Sequence, residues 1–433
     1  MRAMRSSDAM EPMVFAILAS LTPPGIELTL YDERLEDITC REPTDLVAMT
    51  VETFTARRAY QIAARYRARG VPVVMGGYHP TLLPEEAMHY CDSVVIGDAE
   101  AVWGEVLRDA RRGRLKRLYR QPPGEPRIAA RPDRRVFDGK RYAPVSLVQY
   151  GRGCRFACDF CSIHAFYGKA LFQRTVDEVI AELDSLDRRI IVFVDDNLFT
   201  DVATTAALLR ALVPLKLRWV CQVSIDITRN DALLDLMARS GCTAVTIGFE
   251  SLNEDNLRQM KKKWNLARGD YSTAIRKFQD RGIMIYGTFV FGYDQDTAET
   301  FDLTVDFSIR SGFYLANFNP LTPTPGTSLY RRLHAQGRLL YEKWWLDPDY
   351  RYGEATFRPA RMAPEQLTEG CYRARQAFYQ YGSILRRATG RSIHLTDPYR
   401  AGIYLMSNLI SRREIRRKQS IRFGDESPLV SGG

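Results

Sequence analysis

Three of the eight cysteines in this chain crowd into one run, Cys154-Arg-Phe-Ala-Cys158-Asp-Phe-Cys161, with the spacing C-x3-C-x2-C. Soft thiolates suit iron–sulfur centres, and three of them on one loop can hold three irons of a four-iron cluster. The fourth iron is then left without a protein ligand, and an open coordination position marks a centre that does chemistry. Gly151 and Gly153 allow the tight backbone path that such a loop needs, and Phe160 can shield a cluster from water. The rival reading is a structural zinc site, with His164 of Cys161-Ser-Ile-His164 completing a Cys3His set. Cys40, Cys91, Cys221, Cys242 and Cys371 are scattered. In a long chain with few thiols, this clustering argues for metal before disulfide.

The elements around the cysteines decide between iron and zinc. A strand, Ser146–Tyr150, leads directly into the cluster run. Five more strand candidates follow: Ile190–Val194, Arg218–Val223, Ala244–Gly248, Ile285–Phe291 and Leu315–Asn319. Helical stretches separate them. Thr175-Val-Asp-Glu178 and Asp296-Thr-Ala-Glu299 both have the form of a capping box at a helix start. Six consecutive right-handed β/α units curl into a partial barrel, with the site at the C-terminal strand ends. A zinc knob needs no barrel, so the architecture favours the iron–sulfur cluster.

The chain divides into four parts. Residues 1–121 alternate strand-like segments (Ile26–Tyr31, Leu46–Thr50, Val71–Met75, Ser93–Ile96) with helical ones, among them Arg57–Arg69 and Val14–Ala19. No strand precedes Val14–Ala19, so this first domain looks clipped at its start. Residues 122–144 are rich in Pro, Gly and charge and read as a linker. Residues 145–323 hold the barrel, and 324–433 are mostly helical and Arg-rich. The predicted class is α/β, with a Rossmann-like domain, a partial (β/α)6 barrel and a helical C-terminal region.

With 433 residues, 45% apolar, wholesale disorder is excluded, and no apolar run has the ~18 residues of a membrane span. The first twelve residues lack a signal-peptide pattern, which points to the cytoplasm. The net charge of +9 permits an anionic partner without naming one.

The cysteine run after a first strand, with five further β/α units, resembles the radical S-adenosylmethionine (SAM) superfamily. The resemblance implies a [4Fe–4S] cluster on Cys154, Cys158 and Cys161 whose open iron is chelated by SAM. One-electron reduction of the sulfonium would then release a 5′-deoxyadenosyl radical. By the same resemblance Asp195, Asp196 and Asn197 at the second strand end would hold the SAM amino group. Gln222 and Ser224 would reach its ribose, and Glu250 would add a further SAM contact; the bland alternatives are a helix cap, an ordinary strand end and an ion pair. Pro320–Tyr330 is similar to the closing segment of the B12-type group and reads as a stiff turn.

The N-terminal zone carries a second resemblance. Val74-Met-Gly-Gly77-Tyr-His-Pro-Thr-Leu-Leu-Pro-Glu-Glu-Ala87, followed by Ser93–Glu100, is similar to the cobalamin-binding domain of B12-dependent radical SAM proteins. Gly76 and Gly77 would lie against the nucleotide tail of cobalamin. The usual D-x-H-x-x-G signature is replaced by Asp32-Glu-Arg-Leu-Glu-Asp37, with no His to ligate cobalt. His79 is expected to be a surface or capping residue.

The resemblance therefore implies an enzyme that cleaves SAM reductively and functionalises an unactivated carbon. Methyl transfer with cobalamin, or ring formation on a tetrapyrrole, lipid or natural product, are the expected outcomes. Its partners would be a small-molecule or lipid-like substrate and a one-electron reductant such as flavodoxin or ferredoxin. The basic run Ser411–Lys418 reads as a solvated helix face or as a contact to phosphate or an anionic membrane surface. The rival functions are an RNA-modifying radical SAM enzyme and a zinc-stabilised interaction protein. No RNA-binding module such as an aromatic-rich strand pair is present in the sequence, so nucleic acid is not an expected partner.

Overall fold

A computed structural model describes residues 9–122, 131–268, 271–389 and 393–430. Its first sheet has four parallel strands in sequence order: β1 (Val47–Thr50), β2 (Val73–Gly76), β3 (Ser93–Ile96) and β4 (Leu118–Arg120). β2 and β3 read as continuous apolar runs because helices cover both sheet faces. Helix Ala56–Arg67 packs on one face with Val73 and Met75, and helix Trp103–Arg111 on the other with Val74 and Val95.

Two features of this domain depart from the sequence reading. Ile26–Tyr31 was expected as a strand and is not one. In a doubly wound sheet the strand after the first helix pairs with the strand before it. Among the described residues no strand precedes helix Met13–Ser20, so Ile26–Tyr31 has no neighbour to bond. That helix instead seats Met13 and Ile17 on Leu147 of the barrel, and Ala16 packs with Leu30 and Phe137. β4 was not read from the sequence, because three residues with a Tyr and an Arg carry too little apolar signal.

Residues 123–130 of the expected linker lie outside the described residues. After them a single turn, Arg134–Phe137, is capped by Asp133 and buries Phe137.

The second sheet is the partial barrel. Its strands are β5 (Ser146–Val148), β6 (Ile190–Phe193), β7 (Arg218–Val223), β8 (Cys242–Glu250), β9 (Met284–Phe291) and β10 (Leu315–Pro320). They lie in sequence order with every neighbour parallel, the signature of repeated β/α crossovers. One residue parity packs against the outer helices: Phe193, Trp219, Ile247, Phe249, Phe289 and Phe318 are all buried. Each such phenylalanine stabilises the fold by about 1.5–3 kcal/mol. The other parity, Tyr286, Thr288, Asn317 and Asn319 among it, stays half-open on the concave side.

Helix starts follow the sequence closely. Thr175 and Glu178 form the expected capping box. The second expected box is displaced by one residue: the Thr297 N–H donates to Thr300 Oγ1. Asp296 turns inward instead and accepts from the Gly292 and Tyr293 amides and from Asn256 Nδ2.

The C-terminal chain joins the two sheets. Trp344 and Trp345 are buried in the core of the N-terminal sheet. Trp344 Nε1 donates to Pro323 O and Trp345 Nε1 to Glu86 Oε1, each at 2.9 Å. His79, expected at the surface, is fully buried there, with Nε2 3.0 Å from Tyr60 Oη and 3.1 Å from Glu86 Oε1.

Candidate active site between the two sheets

The cluster run leaves β5 and is fixed by hydrogen bonds to its own backbone. Gly151-Arg152 pairs antiparallel with Phe172-Gln173. A Cβ on Gly153, whose φ is +85°, would lie 2.3 Å from Ala170 O, so only glycine fits. Asp195, at the end of β6, accepts from the Tyr150 and Gly151 amides. Asp196 accepts from the Gly153 amide at 2.9 Å. Burial pushes the Asp195 carboxyl up to about 7, against the pull of those two amides, and burial also raises Asp196. Asn197 Nδ2 stands 4.0 Å from Cys154 Sγ.

The other strand ends close around the loop. Gln222 Nε2 donates to Asp196 O at 3.0 Å. Ser224 Oγ is buried and has no partner among the described residues. Glu250 holds a left-handed φ of 64° and forms a buried ion pair with Lys262 at 2.8 Å. Lys262 Nζ also donates to Gly248 O at 2.7 Å. A Cβ on Gly248 would lie 2.1 Å from Glu250 Oε1, so the glycine makes room for the pair.

The three thiols are half-buried neighbours. Burial raises all three pKa values, that of Cys158 to about 12, and the Lys262 charge opposes the rise at Cys158. Such thiols hold their protons until a cation displaces them, as metal binding does. The Phe156 amide points to Cys154, and the Ile163 and His164 amides point to Cys161. Among the described residues, no three His, Cys, Asp or Glu side chains converge on a point that suits one metal ion. His164 Nδ1, the expected fourth zinc ligand, is bonded to Gly168 O at 2.9 Å. Three thiols on one loop match the three protein-held corners of a four-iron cluster.

Three residues near the cluster were missed from sequence. Lys262 sits in the run Lys261-Lys262-Lys263, which reads as a solvated surface. Asp159, beside Cys158, accepts from Tyr293 Oη at 2.6 Å and Arg332 Nη2 at 3.2 Å. Arg152, in the loop itself, pairs with Asp98 at 3.0 Å and Glu100 at 2.6 Å in the N-terminal domain. No local pattern marks any of the three, because their partners are distant in sequence.

The N-terminal sheet turns its C-terminal strand ends toward this loop. Tyr78, directly after Gly77, packs its ring 4.7 Å from Phe166, just beyond the third cysteine. Tyr167 Oη donates to Asp98. Glu52, after β1, is open to solvent yet crowded by protein, which raises its carboxyl pKa. Gly77 has a φ of +102° and packs against Val51, so its missing side chain is required by the chain itself. Gly76 is different: a Cβ there would meet only Val95, at an ordinary 3.6 Å. Among the described residues nothing requires glycine at 76, which suits the close approach of a ligand. His79, with its Nε2 engaged and no exposed surface, is not presented to this cleft.

Comparison with known proteins agrees with this geometry. The Radical SAM superfamily model matches residues 148–308, and the B12 binding domain model matches 18–107. A bacteriochlorophyllide d C-12(1)-methyltransferase from Chlorobaculum tepidum is 30% identical over 88% of this chain and 86% of its own. The chain belongs to the B12-binding branch of the radical SAM superfamily. A bacteriochlorophyllide d C-8(2)-methyltransferase from the same organism is 29% identical, covering 77% of this chain and 78% of its own. The radical SAM methyltransferase TsrM from Kitasatospora setae, solved with cobalamin and a [4Fe–4S] cluster bound, shares the fold. Its TM-score is 0.60 at 18% identity, over 83% of this chain and 79% of that one.

As a member of this branch the protein is an enzyme whose cofactors are a [4Fe–4S] cluster, SAM and cobalamin. Among the described residues no helix is long and apolar enough to cross a membrane.

Proposed function

We propose that this protein is a cobalamin-dependent radical SAM methyltransferase acting on an unactivated carbon of a tetrapyrrole-class substrate. The observation that carries the reading is the Arg152 clamp on Asp98 and Glu100, which ties the cysteine loop to the B12-binding domain. A methyl donor on one domain and a radical source on the other must share one cleft to act on one carbon. When bound, the cluster and SAM supply one-electron cleavage of the sulfonium, and cobalamin supplies a transferable methyl group.

The chain's own residues bind and orient. Cys154, Cys158 and Cys161 hold the cluster. Asp195 and Asn197 shape its loop. The free oxygen of Asp196, the Gln222 amide and the unpartnered Ser224 hydroxyl offer hydrogen bonds to the SAM amino and ribose groups. Glu250 acts through Lys262, whose ammonium opposes negative charge at the cluster face. Gly76 and Gly77 would lie against cobalamin. Tyr286, Thr288, Asn317 and Asn319 line the concave face, where a flat apolar ring edged by polar groups can lie.

The tetrapyrrole class rests on the two bacteriochlorophyllide d methyltransferases, which cover most of this chain. Electrons come from a flavodoxin or ferredoxin. All eight cysteines are free, which fits a reducing cytoplasm. The test is anaerobic reconstitution with iron, sulfide and cobalamin, then SAM, reductant and a bacteriochlorophyllide. The expected products are 5′-deoxyadenosine and a chlorin heavier by one methylene. Absence of 5′-deoxyadenosine with an intact cluster would falsify the radical route. 5′-Deoxyadenosine without chlorin methylation would reject only the substrate class.

A further inference from the structure

Helix Pro398–Lys418 carries large apolar side chains on its solvent side as well as on its protein side. Its protein-facing side carries Tyr404 packed with Ile384 and Ala388, Asn408, 0% exposed and bonded to Arg387 and Tyr314, and the buried Glu414. Its outward side carries Leu405, Met406 and Leu409, exposed by 48%, 63% and 50%. The three lie within about one turn of each other on a single face. An ordinary surface helix puts polar groups outward and apolar ones inward. Large apolar side chains on the solvent face, above buried polar groups, mark a surface made for a second environment.

The patch extends onto the neighbouring helix. Helix Tyr381–Thr389 packs alongside, with Tyr404 Oη donating to Ile384 O at 2.6 Å. Tyr381 and Leu385 are both well exposed, and the Arg412 guanidinium lies 4.3 Å over the Tyr381 ring. The apolar stripe therefore crosses from one helix to the other. It then becomes basic: Arg413 and Arg416 continue the face of Leu405 and Leu409, and Arg386 stands beside Leu385. Helix Tyr381–Thr389 holds no acidic residue, and the one carboxylate of Pro398–Lys418, Glu414, is buried among Arg413, Arg417 and Lys418.

We infer that this face docks on an anionic lipid surface. Leucine, methionine and tyrosine side chains enter the boundary between headgroups and acyl chains while the arginines meet lipid phosphates. Charge separates this occupant from a second copy of the chain. A two-fold contact would set the same arginines against each other, whereas lipid phosphate complements them. With no spanning helix among the described residues, the attachment is peripheral and reversible.

The experiment is flotation of the full chain with vesicles. Phosphatidylcholine vesicles containing phosphatidylglycerol are compared with pure phosphatidylcholine ones. The wild type is expected to float with the anionic vesicles only, and raised salt is expected to weaken the binding. Leu405→Glu with Leu409→Glu, and separately Arg413→Glu with Arg416→Glu, are expected to abolish flotation while SAM cleavage is unchanged. All substituted side chains are solvent-exposed, so either pair keeps the proposal testable if the other fails to fold. Wild type that floats with neither vesicle overturns the inference, as does flotation that survives both double substitutions. A dimer in solution that the same substitutions dissolve assigns the face to a second copy and also overturns it.

Discussion

Arg152 Nη2 lies 2.6 Å from Glu100 Oε1, across the junction between the cysteine loop and the N-terminal sheet. Asp98 shares the same guanidinium, and all three side chains are largely withdrawn from water. Removing one partner of a buried ion pair costs more than the pair contributes, because the stranded charge has no solvent. Arg152→Met is therefore expected to lower unfolding free energy by about 3–5 kcal/mol. Denaturant unfolding measures this. Cobalamin and iron content should fall together, since the clamp serves both sites. Unchanged stability with normal loading of both cofactors would show that the clamp serves neither site.

Replacing Cys158 by Ala removes one corner of the cluster site while deleting only a half-buried sulfur. The variant should remain folded, bind less than one full cluster per chain and yield no 5′-deoxyadenosine from SAM. Iron analysis and product chromatography check this together. Retained SAM cleavage would show that the three thiols do not form the site.

The Glu250–Lys262 pair separates a structural role from a cofactor role. Lys262→Met leaves a buried carboxylate unpaired and should cost about 3–5 kcal/mol. Lys262→Met combined with Glu250→Leu removes both charges and should recover most of that stability. If the double variant is stable but binds SAM as tightly as wild type, Glu250 has no part in the SAM site. Weakened SAM binding with restored stability places the pair in it.

Asp195 makes stability fall with rising pH. Its carboxyl is raised from the ordinary 3.8 to about 7, mainly by burial. A group whose pKa is raised on folding favours the folded state fully below its unfolded pKa. That contribution is lost as pH rises from about 4 through about 7. Asp296, raised to about 6 mainly by burial, acts in the same direction. Unfolding midpoints of the protein without added metal, measured from pH 4 to pH 8, should decline across this window. Asp195→Asn should flatten part of the slope. It should also loosen the loop, because one amide oxygen must now serve the two amides of Tyr150 and Gly151. A slope unaltered by the substitution would assign the pH dependence to other groups.

The cysteine spacing, the six β/α units and the glycine pair at the end of β2 were legible because each is local. Thiols at fixed intervals on one loop, strands read from apolar runs and Gly77 at positive φ need no distant partner. Asp296 shows where local pattern fails: it has the form of a helix cap, yet the amides of Gly292 and Tyr293 just before it and the distant Asn256 draw it into the core. Ile26–Tyr31 shows the complementary failure, a strand-like composition that is not paired as a strand among the described residues.

By itself the sequence determined the clustering of three thiols on one loop and the order of the barrel strands, which follow from residue type and short-range periodicity; the two cofactor domains were legible only through resemblance to a family. Tertiary structure alone decided that Arg152 reaches Asp98 and Glu100, and that Lys262 pairs with Glu250. It also decided that Leu405, Met406 and Leu409 face outward. Side-chain partners across dozens of residues, and the side a helix turns to solvent, are set by packing and desolvation when the chain closes. No stretch of sequence contains that information in local form.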